Sequence, residues 1–505
     1  MDHTLSRNEK SKIWAHSLFI SLLLTLTWTF KLEAIKELSF WYQDWYLAYQ
    51  LIDYSRDSVS SMELTTHIAF TDSPLKSEEI NGIFGNRVFA IGMLIFSPDV
   101  LIFPFLSITD AIIWHISLTV GAISLVTSMM LMRRNLSIAA TYFLAISFFL
   151  MVPMIARLSV GHIQLLGYLL IPIFIILLQE RRKLGINCCN LWMLKMSALL
   201  TYVISLGSVH VFFQMTLILG IYFVFNPRHV VNLSAPIVAS LSLTSFQTLP
   251  ALLDRIEGGN RSVYHGYGFN FFSNTNFNDR ESVYDFSSFG KTLNTLYLHL
   301  QEIVIHLWLA LTSSDYALAN QGWEWTMDIG PVTILMILTF VILNNRRLAL
   351  DRENAWTLVC FFLSLSLFYR FIYLAVADIL PLSPIDRIPF RMLTYPILWL
   401  MLVCTFFWDS KITTWTSSKK KGAYFFSLLA LMNYFYLISL FESWTNNLFI
   451  EDSKMKYQNS GLLPKYNEIS VDYDSDYIFH IQIGFVISIF SMICLTLLWK
   501  KTRKD

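Results

Sequence analysis

Apolar runs long enough to cross a membrane recur along most of the chain, from residue 13 to residue 499. A helix that crosses the roughly 30 Å hydrocarbon core of a bilayer needs about 20 mostly apolar residues. The pattern predicts twelve spanning helices and an all-α polytopic fold, with residues 1–505 forming one membrane-embedded domain. The predicted spans are residues 13–31, 111–132, 137–156, 163–180, 190–207, 209–226, 231–252, 331–345, 354–376, 390–408, 422–441 and 480–499.

Clusters of Lys and Arg predict the orientation of these spans. Short cytoplasmic loops retain positive charge, and with twelve spans every cluster falls on the same side. Both termini are therefore predicted to be cytoplasmic. The clusters are Arg7/Lys10/Lys12, Arg133/Arg134, Arg181/Arg182/Lys183, Arg346/Arg347, Lys419/Lys420/Lys421 and Lys500/Lys501/Arg503/Lys504.

Two further apolar stretches do not fit as spans. Residues 88–107 are long enough, but Pro98, Asp99 and Pro104 interrupt them. Residues 303–312 are too short to cross a bilayer. We expect both stretches to lie in, or dip into, the outer interface of the membrane.

Composition supports the membrane assignment. The chain has 505 residues, of which 55% are hydrophobic and 14% charged, and its net charge is +1. Soluble domains carry about a quarter charged residues. The mean hydropathy of +0.50 and the absence of a basic excess exclude a disordered chain and a nucleic-acid-binding protein. The five cysteines fall in or near predicted spans, so no disulfide framework is expected.

Polar sequence is concentrated in three segments that we predict to lie on the outer side. They are residues 32–110, which include the expected interfacial helices, residues 253–330 and residues 442–479. The cytoplasmic connections are short and basic. Any chemistry is therefore expected on the outer face, in loops above a membrane-embedded scaffold.

The first outer segment contains an acid among aromatic residues. Asp44 is flanked by Trp41, Tyr42, Trp45 and Tyr46 soon after the first span. Reduced solvation near a membrane surface favours proton uptake by a carboxylate, which suits a general base. The alternative is an interfacial aromatic belt with a solvated acid.

Two short outer turns each combine a glycine with a histidine. The turn between spans three and four contains Arg157, Gly161 and His162, and the turn between spans five and six contains Gly207 and His210. Histidine can bind sugar hydroxyls, transfer protons or ligate a metal ion. The alternative is that each histidine is only a polar helix terminus.

Three further arginines lie on the outer side or inside a span. Arg370 falls within span nine, and Arg387 and Arg391 lie in the next outer turn. An arginine inside the membrane is costly and by default indicates a functional site, and its guanidinium can hold a phosphate in a bidentate fork. A salt bridge with Asp378 or Asp386 is the competing explanation.

Acids and tryptophans also precede span eight. Trp323 and Trp325 could stack on sugar rings, while Glu324 and Asp328 could accept hydrogen bonds from the hydroxyls. Interfacial anchoring explains the same residues equally well.

Together these features resemble the membrane-embedded glycosyltransferases of the GT-C superfamily, in which an acid follows soon after the first span. Short motifs are similar to those of its bacterial YfhO-like group. The motif residues are Arg157, Gly161 and His162, then Gln247-Thr248-Leu249-Pro250, and then Pro389-Phe390-Arg391.

The resemblance implies a transferase that takes a sugar from a polyprenyl-phosphate donor. The acceptor would be a cell-surface glycan or a lipid-linked molecule, reached from the outer face of a bacterial inner membrane. Asp44 would be the base. A divalent metal is not favoured, because the first loop lacks a clean Asp-Asp or Glu-Asp pair. Predicted donor and phosphate contacts are Arg157, His162, Arg370, Arg387 and Arg391, and predicted acceptor contacts are Trp45, His210, Trp323, Glu324, Trp325 and Asp328.

Two other functions fit twelve spans. A secondary transporter or flippase would place its polar groups near the bilayer midplane. A polymerase or ligase of lipid-linked glycans would instead use the loop that contains Arg255, Arg261, His265 and Arg280.

Overall fold

Within the residues that the structure describes, the chain is almost entirely helical. The computed structural model describes residues 6–39, 45–62, 68–70, 97–159, 161–183, 189–225, 230–257, 328–344, 394–416, 419–445, 466–468 and 475–502. The exception to the helices is an antiparallel pair of short strands, β1 (Ile68–Phe70) and β2 (Tyr466–Glu468). The all-α prediction is confirmed for this part of the chain.

The helices alternate with short turns over most of the described length. Those before residue 184 are α1 (Arg7–Ser39), α2 (Trp45–Ser61), the 3-10 helix η1 (Pro98–Phe105), α3 (Ile108–Arg133), α4 (Ile138–Phe149), α5 (Val152–Ser159), the 3-10 helix η2 (Ile163–Leu170) and α6 (Ile171–Lys183). Those after it are α7 (Cys189–Ser205), α8 (Val209–Phe225), α9 (Val230–Leu243), α10 (Ser245–Glu257), α11 (Pro331–Asn344), α12 (Thr394–Thr416), α13 (Lys419–Thr445) and α14 (Ser475–Thr502).

Five stretches of the described chain are long and apolar enough to cross a membrane. They are Arg7–Ala34, Ile108–Arg133, Ile138–Leu158, Lys420–Trp444 and Ile478–Lys500. Shorter apolar helices, Leu165–Glu180, His210–Gly220, Ser234–Leu243 and Pro331–Leu343, coincide with four more of the predicted spans. The span predicted at residues 354–376 lies outside the described residues. The count of twelve therefore stays a prediction.

Several predicted spans contain breaks in the helix, although the span at 137–156 matches the membrane-length stretch Ile138–Leu158. The span at 137–156 is divided after Phe149, where the Val152 amide donates to the Asp328 carbonyl (3.1 Å) instead of continuing the helical ladder. The span at 163–180 begins as the 3-10 helix η2, and the span at 231–252 is divided between α9 and α10. Apolarity predicts burial in lipid but carries no signal for such breaks, because the segments on both sides are apolar.

The predicted outer segments are shorter than expected at their edges. Helix α1 continues to Ser39, α10 to Glu257 and α13 to Thr445, so the starts of all three segments are helical. The described part of residues 88–107 is not a membrane-crossing helix. It contains η1, which buries Val100 and Phe103 and exposes Leu101 and Phe105, as expected for a segment at an interface.

Helix starts follow ordinary capping rules. Ser6 and Glu9 form a reciprocal capping box before α1, with Ser6 N to Glu9 Oε2 at 2.9 Å and Glu9 N to Ser6 Oγ at 3.3 Å. Ser107 caps α3 by accepting from the Asp110 amide, and Ser137 caps α4 by accepting from the Ala140 amide. These side chains satisfy N–H groups that have no partner within the helix.

The core forms where α1, α3, α4 and α13 meet. The Ser21 hydroxyl donates to the Gly121 carbonyl (2.8 Å), and a methyl group on Gly121 would collide with Thr25, so α1 and α3 pack closely. Trp28 is buried and its Nε1 donates to the Phe149 carbonyl (3.1 Å). Bonded pairs of this kind satisfy polar groups that would otherwise be costly inside an apolar bundle.

Basic residues of the described chain, among them Arg133, Arg134 and Lys420, cluster at one end of the bundle, which we call the basic end. The Arg134 guanidinium donates to Gln179 near the end of α6 (2.6 Å), and Phe143 in α4 contacts Phe426 in α13. These contacts bring the end of α3, the end of α6 and the start of α13 together. The opposite end, which we call the far end, contains the turns after α5 and α7. His115 lies about 27 Å from Arg133 along α3 and so belongs to the far end.

Candidate functional site

The turn between α5 and η2 presents Arg157 and His162 at the far end. Gly161 has a φ of +90°, its amide donates to the Leu158 carbonyl (3.1 Å), and the His162 amide donates to the Arg157 carbonyl (3.2 Å). This pair of bonds is a Schellman cap, which requires a left-handed residue and therefore favours glycine. The Schellman cap alone therefore explains why glycine occupies position 161.

Arg157 is fully buried. Its guanidinium carbon lies 4.8 Å from the centroid of the Tyr168 ring, and Tyr168 is itself buried in η2. A cation on an aromatic face is stabilised by the ring quadrupole, more strongly when both groups are removed from water. A buried arginine in a membrane-embedded bundle is expensive unless it has a function or a dedicated set of partners.

The second Gly-His turn packs against η2. Gly207 has a φ of +70°, and the Ser208 amide donates to the Val203 carbonyl (3.1 Å), so α7 also ends in a Schellman cap. The Ser208 hydroxyl accepts from the Gly167 amide (2.8 Å), and a methyl group on Gly167 would collide with Ser208. The helix opened by His162 is thus contacted directly by the turn that precedes the half-buried His210.

Asp328 joins three helices at a fully buried position. Its Oδ1 accepts from the Gly330 amide (2.9 Å), and its Oδ2 accepts from the Tyr436 hydroxyl (2.9 Å). Its carbonyl accepts from Val152 at the start of α5. Gly330 has a φ of +87° and abuts Asn433. Both carboxylate oxygens are held by protein donors, so a sugar contact for Asp328 stays a prediction.

A buried acid–histidine pair was not singled out in the sequence. His115 in α3 places Nδ1 2.6 Å from Asp99 Oδ2, and Asp99 also accepts from the Ser97 hydroxyl. His115 is 0% exposed, and the Asp99 side chain is 14% exposed. Burial would raise the pKa of Asp99, but the attraction of His115 and hydrogen bonds from His115 and Ser97 outweigh it and lower that pKa.

A tyrosine from α7, Tyr202, lies near the Asp99–His115 pair. The Tyr202 side chain lies near Thr119 and within electrostatic reach of Asp99. Thr119 follows His115 by four residues, so the two share one face of α3. An apolar run that contains a histidine was the available signal, because an ionisable residue inside a span is a candidate functional group.

Helix α2 covers the Asp99 region. Its residues Leu51 and Ile52 are buried, and the helix packs against η1 and α3. On its more polar side Arg56 Nη2 lies 3.3 Å from Asp53. Burial and Asp53 raise the pKa of Tyr49, and Arg56 opposes the shift. Helix α2 was not among the interfacial stretches predicted from the sequence.

The structure describes some of the predicted site residues and not others. It places Arg157, His162, His210 and Asp328 at the far end, and it shows only the backbone of Trp45, at the start of α2. Asp44, Trp323, Glu324, Trp325, Arg370, Arg387 and Arg391 lie outside the described residues.

Among the side chains that the structure describes, no three His, Cys, Asp or Glu groups come together as a metal ion would need. The described cysteines Cys404 and Cys494 are free thiols.

Comparison with known proteins gives no relative for this chain. No protein-family model, no curated protein and no solved structure matches it.

Proposed function

We propose that the chain is a membrane glycosyltransferase that moves a sugar from a polyprenyl-phosphate donor to a cell-surface glycan or lipid-linked acceptor. The observation that carries this proposal is the fully buried Arg157, stacked on Tyr168 beside a histidine turn at one end of the bundle. A guanidinium supplies a fixed fork of donors that suits the two oxygens of a phosphate.

The reaction needs a base and a cation. The acceptor hydroxyl loses its proton to the base while its oxygen bonds the anomeric carbon of the donor. The bond from that carbon to the phosphate oxygen breaks, and its electron pair leaves with the lipid phosphate. Asp44 is the proposed base, and Arg157 stabilises the developing phosphate charge, as electrostatic catalysis requires. Arg370, Arg387 and Arg391 are further phosphate contacts in this proposal, and no metal is required.

In this proposal the basic end faces the cytoplasm, so the far end and the reaction face outward. The positive-inside tendency supports that orientation, since Arg133, Arg134 and Lys420 belong to the basic end. Twelve spans then place both termini in the cytoplasm, in a bacterial inner membrane.

The test is sugar transfer by the purified chain. Liposomes that contain the protein, a radiolabelled polyprenyl-phosphate hexose and cell-surface glycan are expected to yield labelled glycan. We expect Arg157→Met and Asp44→Asn each to lower the rate by about a hundredfold or more. The exposed Arg133→Gln at the basic end is the matched control and should transfer at the wild-type rate. Transfer that is absent in wild type, or that persists in Arg157→Met, would overturn the proposal.

A secondary transporter or flippase is the second candidate, favoured by the buried Asp328–Tyr436 and Asp99–His115 pairs. Ionisable pairs inside a bundle can carry protons in coupled transport. This candidate predicts that labelled polyprenyl-phosphate hexose crosses the liposome bilayer without being consumed, and that Asp44→Asn leaves this movement unchanged.

A further inference from the structure

The Asp99–His115 pair is the polar cluster that neither the proposed phosphate contact nor the proposed base uses. In His115, Nδ1 lies 2.6 Å from a carboxylate oxygen, a distance that requires a proton between them. In the neutral ring that proton fixes the tautomer, so Nε2 carries the lone pair. Nε2 is buried and has no hydrogen-bond partner among the described residues.

An unsatisfied buried acceptor is costly, by about 1–3 kcal/mol for an ordinary polar group. A ligand that donates a hydrogen bond to His115 Nε2 would remove this cost. The Asp99 carboxylate, held on the other ring nitrogen, disfavours a second anion at this place. The ligand group is therefore not an anion, and a hydroxyl, which is neutral and donates one hydrogen bond, fits the single acceptor atom.

The neighbours of His115 suit a ligand with more than one hydroxyl. Thr119 lies one helical turn further along α3, and Tyr202, which is only partly buried, lies near it. The Tyr202 hydroxyl can both donate and accept. Helix η2, which carries Tyr168 beneath Arg157, packs against α3 and α7, the two helices that supply His115 and Tyr202.

We propose that His115 Nε2, with the Tyr202 hydroxyl, forms a subsite that binds hydroxyl groups of the acceptor sugar. Asp99 is a positioning residue, because it acts on the ligand through the tautomer of His115. The inference rests on the proposed function, since it takes the bound hydroxyls to be those of the acceptor. It adds a substrate-recognition role to residues that have none in the proposed reaction.

The first test reads the tautomer and its ligand directly. The chain is prepared in lipid nanodiscs with isotope-labelled histidine, and the His115 signals are assigned by their loss in His115→Gln. We expect a protonated Nδ1 and an unprotonated Nε2. Titration with a methyl hexoside, used as the probe, should shift the Nε2 signal. The matched control is His16, a half-buried histidine bonded to Tyr142 near the basic end, which should not respond.

Asp99→Asn sharpens this test without removing the histidine. The amide of Asn donates to Nδ1, so the ring should switch to the tautomer with a protonated Nε2, and the response to the hexoside should disappear. A protonated Nε2 in the wild-type chain, or an Nε2 signal that ignores the hexoside, would overturn the subsite. The latter outcome would mean that a buried water alone satisfies this atom.

The second test uses sugar transfer and separates recognition from folding. In His115→Phe, the acceptor concentration for half-maximal rate should rise by about tenfold or more, with the donor concentration for half-maximal rate unchanged. His115→Gln retains a carbonyl acceptor and should recover part of the affinity. An unchanged acceptor dependence in His115→Phe contradicts the subsite. A wild-type chain that transfers no sugar contradicts the proposed function instead, while the hexoside titration still decides the subsite.

Discussion

The two ends of the bundle differ in how deeply their charged side chains are buried. At the basic end, charged groups are partly exposed and their contacts are those of an ordinary surface, such as Lys195 with Glu180 at 3.2 Å. At the far end, Arg157, Asp328 and His115 are each 0% exposed. Water and lipid headgroups can solvate the first set, whereas the second set depends on the protein and on any ligand.

This difference indicates where function should be sought. Charges at the basic end orient the chain in a membrane and need no further explanation. The three fully buried ionisable groups at the far end cost free energy to bury, and two of them, Asp328 and Arg157, differ in their partners. Asp328 is held by protein donors on both oxygens. Arg157 is stacked on the Tyr168 ring beside a turn, and the proposed function gives it a phosphate to bind.

The largest expected effect is on Asp328. Asp328→Ala leaves the buried Gly330 amide and the partly buried Tyr436 hydroxyl without their acceptor, so the free energy of unfolding should fall by about 3–4 kcal/mol. The counterpart at the basic end is Asp409→Ala, which removes partly buried bonds to Ser137 and should cost only about 1–2 kcal/mol. Equilibrium unfolding in mixed micelles measures both. Equal losses would contradict the contrast between the two ends.

Two glycine substitutions should change the free energy of unfolding by smaller amounts, in opposite directions to each other. Gly330→Ala places a methyl group against Asn433 at a φ of +87°, so we expect it to lower the free energy of unfolding by about 1–3 kcal/mol. Gly220→Ala in α8 meets nothing within 4 Å and should raise that free energy by up to about 1 kcal/mol. The same unfolding measurement applies. A destabilised Gly220→Ala would show that α8 is packed more tightly than described.

The Asp99–His115 pair predicts a dependence of stability on pH. Because the folded-state pKa of Asp99 is lowered, its stabilising contribution is present above the ordinary value of about 3.9 and is lost as pH falls through the lowered folded-state value. The stability difference between wild type and Asp99→Asn should therefore shrink as pH falls below about 4. A difference that already vanishes at pH values near 6 would be inconsistent with the pair.

The smallest effect is expected at the surface of the basic end. Lys195 is 45% exposed, so Lys195→Ala should change the free energy of unfolding by less than about 0.5 kcal/mol. A loss comparable to that of Asp409→Ala would mean that charges at the basic end are as desolvated as those at the far end.

The sequence predicts the order of the helices well and their interruptions poorly. Apolar runs locate α1, α3, α13 and α14 because the length of a span follows from the thickness of a bilayer. The same runs hide the break after Phe149, because its cause is a hydrogen bond from Val152 to a residue far away in the chain. Contacts over such distances have no local sequence signal.

The candidate site was predictable only in part. The turn with Gly161 and His162 follows from its own sequence, since a Schellman cap is local. The burial of Arg157 follows from packing by Tyr168 and could not be deduced from the turn. The Asp99–His115 pair was missed because Asp99 appeared only as an interruption, and its partner lies sixteen residues further along the chain.

The most direct test of the central proposal is the distance between Arg157 and a lipid-borne phosphate. Solid-state NMR of the chain in lipid bilayers, with isotope-labelled arginine and bound polyprenyl phosphate, measures the magnetic coupling between guanidinium nitrogen and phosphorus. We expect a coupling that corresponds to direct contact in the wild-type chain, that is retained in Arg133→Gln and that is reduced in Arg157→Met, where only the other proposed arginine contacts would remain. A coupling that survives unchanged in Arg157→Met, or that is absent from the wild-type chain, would contradict the proposal.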